Sequence, residues 1–173
     1  MILVMGIDPG ISNTGFGVVR VAGGRLSAVD GGVIEAPAGE PLENRLVRIH
    51  AELEKLIAWH EPVAVAIEDL FFGKNVRSAV AVGQARGVAM LAAAQREIPC
   101  FDYTPQAVKM AVCGHGSAAK RQVQQMVGSL LGLPRAPESD HAADALAVAI
   151  CHAGHVGKAA AVEAALDRPV SVG

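Results

Sequence analysis

Two short apolar runs set the frame for this chain. Ile2–Ile7 and Val63–Ile67 are each too short for a globular helix, and each ends on a carboxylate, Asp8 and Glu68. Near-continuous apolar runs of this length, bounded by turn residues, read as strands covered on both faces. Pro9-Gly10 stops the first, and Pro62 precedes the second. A carboxylate at the end of an interior strand is costly to desolvate unless it is paired or holds a cation. Adjacent strands lie about 5 Å apart, so two such acids on neighbouring strands are within reach of one ion. Taken singly, Asp8 also suits a turn before Pro-Gly, and Glu68-Asp69 a solvated strand end.

The rest of the pattern supplies the neighbours. Gly15–Val21 and Leu26–Ile34 read as strands joined by a hairpin turn at Ala22-Gly23-Gly24. From Leu42 the period becomes helical: Leu42, Leu46, Ile49, Leu53, Leu56 and Ile57 share one face, while Glu43, Arg45, Glu52 and Lys55 fall elsewhere, and Trp59 at the helix end reads as core. After the second run, Phe71–Asn75 reads as a loop and Arg77–Gln95 as an Ala-rich helix whose small residues suit close helix packing. Cys100–Tyr103 is a last short strand, and Thr104-Pro105 is an N-cap with a proline at the first helical position. Ser117 is placed to cap a helix through Leu131, and Ser139 or Asp140 opens a final helix to about His155. The expected fold is α/β: an antiparallel meander of three strands extended by right-handed crossovers that add two parallel strands, a five-stranded mixed sheet flanked by helices. One domain is expected over residues 1–155, with 156–173 a mobile tail.

Composition removes several function classes. The longest apolar runs, Val88–Ala94 and Ala145–Cys151, are seven residues, far short of a membrane span. The start, MILVMGID, has no basic region or cleavage site of a signal peptide. Cys100, Cys113 and Cys151 are odd in number and form no CxxC, which argues for a reducing compartment and against a disulfide or zinc framework. The expected location is the cytoplasm. The net charge of −2 conceals a division: residues 1–73 carry −5, residues 74–135 carry +6 and residues 136–173 carry −3. A basic middle between acidic ends suits a phosphate-binding surface around a metal site.

The final helix adds chemistry of its own. His141 and Asp144 are three apart and Asp140 and Asp144 four apart, so either pair shares a face. Asp140 alone is an ordinary helix N-cap, and a lone His141 would serve structure, but with Asp8 and Glu68 they supply an oxygen-rich set suited to two hard cations. Lys74, Arg77, Lys109, Lys120 and Arg121 are candidates to hold phosphates against the repulsion of such a site. Phe71 and Phe72 lie in a polar loop of a chain with only six aromatics, either as a wedge against bases or packed under the loop. Gly114-His115-Gly116 permits close backbone approach or a plain turn, and Cys151, His152 and His155 read as helix end and tail, not as a metal site.

Four segments, GIDPGISNTGFGVV, AIEDLFFGKNVRSA, YTPQAVKMAVCGHGSAAK and SDHAADALAVAICH, resemble in order and spacing the RuvC family of crossover junction endodeoxyribonucleases, over roughly residues 1–155. The resemblance implies an RNase H-like fold and a homodimer that nicks four-way (Holliday) junctions symmetrically in homologous recombination and DNA repair. It implies two Mg²⁺ per active site, with Mn²⁺ also supporting activity, and partnership with branch-migration motor proteins of the RuvA and RuvB type. By position, Asp8, Glu68, His141 and Asp144 fall at the family's catalytic metal-binding set. Phe71 falls at a base-stacking aromatic, and Lys109 and Lys120 at DNA-binding positions. Many members carry Asp where this chain has His141; imidazole suits Mn²⁺ better than Mg²⁺, so His141 is either a ligand or a base that positions water. Asp140 ranks behind it as fourth ligand. The helix Arg77–Gln95 is the candidate dimer interface. Two other readings belong to different classes. One is a non-catalytic junction-binding protein on the same fold. The other is a fragment of an actin-like ATPase or sugar kinase, suggested by DPGISNTGFG, although those need a second lobe that 173 residues scarcely supply.

Overall fold

The structure, a computed structural model, describes the backbone of residues 1–69 and 76–166 and the side chains of 1–69 and 79–156. Phe71, Phe72 and Lys74 lie outside the described residues, as does the side chain of Arg77. Five strands, β1 (Ile2–Asp8), β2 (Asn13–Ala22), β3 (Arg25–Glu35), β4 (Ala64–Glu68) and β5 (Cys100–Tyr103), form one sheet in the order β3-β2-β1-β4-β5. The meander β1-β2-β3 is antiparallel, while β4 is parallel to β1 and β5 parallel to β4. The helices are α1 (Leu42–His60), α2 (Val76–Ala94), α3 (Pro105–Cys113), α4 (Lys120–Leu130) and α5 (Asp140–Leu166). This is the mixed sheet expected from the sequence. Among the described residues no helix is long and apolar enough to cross a membrane.

Alternation along the interior strands sorts the core into two layers. Met5, Ile7, Val18, Val65 and Ile67 pack with Ile49, Leu53 and Ile57 of α1 and Ala85, Ala89 and Ala92 of α2. On the opposite face Val4, Val19 and Ala66 pack with Val108, Val112, Val123 and Val127 of α3 and α4 and with Leu146–Cys151 of α5. Helix α5 seats closely on the sheet because glycines line its track. A Cβ at Gly6 would overlap the Ala145 carbonyl oxygen, and one at Gly15 the carbonyl of His141. Those small positions in β1 and β2 let the acidic start of α5 come down onto the strand ends.

Four details depart from the sequence reading. Helix α4 starts at Lys120 with Ala119 as its uncapped N-cap. Ser117 sits in the preceding turn, its Oγ 3.4 Å from His115 Nδ1. Helix α5 runs on to Leu166 rather than ending near His155, in keeping with the helix-forming stretch Lys158–Leu166, and 167–173 lie outside the described residues. Trp59 is 83% exposed instead of core, since Ile57 takes the buried position in that last turn. Arg45 leaves the polar face of α1 and is buried, donating to the Ile11 carbonyl (2.9 Å), the Ser12 hydroxyl (2.7 Å) and the Ala36 carbonyl (3.2 Å). It thereby ties α1 to the turn that follows Asp8. Gly114 caps α3 in the left-handed conformation (φ 79°), so the Gly114-His115-Gly116 segment is a turn.

Candidate active site

The parallel register brings the two strand-end acids side by side: Ile7 pairs with Ile67, and Asp8 and Glu68 are the next residues of β1 and β4. Helix α5 supplies the other side. His141 Nδ1 lies 2.8 Å from Asp8 Oδ2, across 133 residues of chain. With Asp8 ionised, the imidazole Nδ1–H donates, which leaves the lone pair on Nε2. Asp144, one turn along α5, lines a cleft of about 230 Å³ together with Glu68, Lys109, Lys120 and the apolar Pro105, Val108 and Val123. Thus Asp8, Glu68, His141, Asp144, Lys109 and Lys120 gather at one end of the sheet. Arg121, beside Lys120 on α4, is exposed and lines no part of that cleft.

Burial and mutual repulsion govern the acids. Desolvation pushes the Glu68 carboxyl up from 4.5 to about 7, with Asp8 and Asp144 adding repulsion and Lys120 and Lys109 opposing it. Burial also raises Asp8, against the hydrogen bond from His141. The Lys120 ammonium sits 3.1 Å from Asp144 Oδ2 and 3.3 Å from Asp140 Oδ2. Burial pulls its pKa down, but its bonds to Asp144 and Asp140 prevail and the net shift is upward. Asp140 is turned outward to α4, accepting from the Gln124 side-chain amide as well as from Lys120.

This donor set fits divalent cations in kind: three carboxylates and an imidazole, two of the acids with their pKa raised chiefly by burial, and an ammonium paired with Asp144. It is not closed as it stands, because among the described residues no three His, Cys, Asp or Glu side chains are grouped tightly enough to hold an ion. His141 is engaged with Asp8, and Lys120 with Asp144.

Sequence reasoning did not find the Lys120 bridge between Asp140 and Asp144, nor the Gln124 contact. It also missed the pair formed by Tyr103 Oη and His152 Nδ1 at 2.8 Å, where the largely buried His152 ring also packs against Phe101 at a tilt. Only the apolar surroundings of His152 hinted at burial.

Comparison with known proteins adds the lineage. Residues 4–152 match the family model for the crossover junction endodeoxyribonuclease RuvC. The chain is 54% identical over 149 residues to the crossover junction endodeoxyribonuclease RuvC of Chloroflexus aggregans, covering 86% of this chain and 91% of that protein. It is 52% identical over 153 residues to the protein of the same description from Pelotomaculum thermopropionicum, covering 88% of this chain and 93% of that one. Among solved structures it is similar to T. thermophilus RuvC in complex with a Holliday junction substrate, with a TM-score of 0.88, 41% identity and coverage of 92% of this chain and 97% of that one. The chain belongs to the RuvC family of crossover junction endodeoxyribonucleases.

Proposed function

We propose that this RuvC-family endonuclease resolves four-way (Holliday) DNA junctions by paired symmetric nicks, using Asp8, Glu68, Asp144 and His141 to hold two divalent cations. The observation that carries the reading is the convergence of these four side chains at one end of the sheet, with the Asp8–His141 contact of 2.8 Å joining its two sides. The family's chemistry is metal-dependent, and Mg²⁺, with Mn²⁺ as an effective substitute, is the ion proposed here. When bound, such ions activate water and stabilise the leaving oxygen of a phosphodiester.

The chain's own residues supply the rest. Asp8, Glu68 and Asp144 offer oxygen ligands from two strands and a helix, so no single element has to surround two ions. His141, oriented by its Nδ1–H bond to Asp8, keeps Nε2 free as a ligand or a proton acceptor. Lys109, in the same cleft, counters the repulsion between phosphate and acids. Arg121, Lys74, Arg77 and Phe71 are proposed to extend the DNA contact, the last by stacking on a base.

Junction resolution takes two cuts, so one site per chain calls for a two-fold dimer matching the substrate. Helix α2 is the proposed interface: Val80 and Leu91 are about half exposed along it, and Gly87 leaves room for close approach. The proposed organisation is one nuclease domain over residues 1–155, at work in the cytoplasm in recombination and repair beside a branch-migration motor of the RuvA and RuvB type.

The test is incubation with an immobile and a mobile four-way junction in Mg²⁺ or Mn²⁺. Paired nicks in the mobile junction are expected, since only that substrate samples preferred sequences. Metal-independent tight binding without product would favour a non-catalytic junction-binding protein.

A further inference from the structure

Lys120 does more in this site than offer a charge to DNA. Its ammonium lies 3.1 Å from Asp144 Oδ2 and 3.3 Å from Asp140 Oδ2. These two carboxylates stand one helical turn apart at the start of α5, and Lys120 reaches both from the first residue of α4. They are not equivalent. The Asp144 side chain is 27% exposed and lines the cleft with Glu68, whereas Asp140 is 57% exposed and is also held by Gln124 of α4.

An ammonium and a divalent cation compete for the same lone pairs of a carboxylate oxygen. With Lys120 on Asp144, the acids of the site do not close into a three-ligand group among the described residues. The outer carboxylate, by contrast, makes no bond to Asp8 or His141 and is free to keep the amine near the cleft mouth.

Resting on the reading that Asp144 is a metal ligand, we propose that Lys120 is the resident cation of the metal-free site, which yields Asp144 to an entering divalent ion and is retained at the mouth of the cleft by Asp140. Lys120 is then delivered to the phosphate only once the ion is in place, and Asp140 is a positioning residue for that lysine. The exchange holds the acids together before metal arrives and couples metal occupancy to the DNA contact.

The experiment is Mn²⁺ binding to the full-length, DNA-free protein, followed by the electron paramagnetic resonance of the free aqua ion. An exposed ion pair is worth up to about 1 kcal/mol, so Lys120→Gln should bind Mn²⁺ up to about fivefold more tightly than the unmodified chain. Lys109→Gln, which removes the same charge from the same cleft without vacating Asp144, should tighten binding less. Asp140→Asn should weaken binding, because the displaced amine loses its second acceptor, and this loss should shrink in the Lys120→Gln background. Equal tightening by the two lysine variants, or an undiminished Asp140→Asn loss in the double variant, would overturn the exchange. Asp144→Asn separates the two layers: Mn²⁺ binding unaffected by it would instead refute Asp144 as a ligand.

Discussion

Replacing Glu68 by Gln should stabilise the metal-free protein, and increasingly so as pH rises. A carboxyl with a higher pKa in the folded than in the unfolded chain holds its proton more tightly when native, so stability falls as pH climbs through the window between the two. For Glu68 that window runs from 4.5 to about 7, which at about 1.4 kcal/mol per pH unit costs the ionised native state about 3 kcal/mol. The cost is mostly incomplete by pH 5 and nearly complete by pH 8. Glutamine keeps the shape without the charge and removes the dependence. Other groups also titrate: burial lowers His152, which works in the opposite sense below neutrality. The difference between unmodified chain and variant cancels His152, which is not among the charges acting on Glu68. Urea unfolding in chelator at pH 5 and pH 8, followed by far-ultraviolet circular dichroism, should show the stability gap widening by about 2 kcal/mol in favour of the variant. Saturating Mg²⁺ should raise the stability of the unmodified chain at pH 8 and leave the variant much less affected. A gap that stays constant between the two pH values would refute the picture of Glu68 as a buried acid strained by its neighbours.

Other variants probe the remaining parts of the site. His141→Asp, which completes a four-carboxylate set, should move the ratio of nicking rates toward Mg²⁺ and away from Mn²⁺; an unchanged ratio would argue that His141 acts on water and not as a ligand. Lys109→Gln should weaken junction binding and lower the slope of log affinity against log salt by about one; titration at several salt concentrations reads this directly. Leu91→Glu, placed on the exposed face of α2, should give a monomer by sedimentation and convert paired nicks into single, uncorrelated ones.

Much of this arrangement was legible from residue pattern. The acids Asp8 and Glu68 stood out because each closes an apolar run, and the parallel register then follows from the crossover between the runs. His141 and Asp144 were visible through helical spacing. What the pattern could not show was the third dimension of polar pairing. Arg45 looks like one more charged residue on a helix surface, and only the fold shows that the Asp8–Ser12 turn offers its carbonyl and hydroxyl to that guanidinium. Trp59 shows the same thing: in the last turn of α1 the buried position goes to Ile57, and the indole two residues on stays in water. Lys120 was recognisable as basic, while its seat between Asp140 and Asp144 depends on how α4 meets α5.

The most direct trial of the central claim separates binding from cutting at Asp8. Purified Asp8→Asn should bind a four-way junction with the affinity of the unmodified chain and, with Mg²⁺ or Mn²⁺ present, release no nicked product. Metal-dependent cleavage retained by that variant would contradict the assignment of the site.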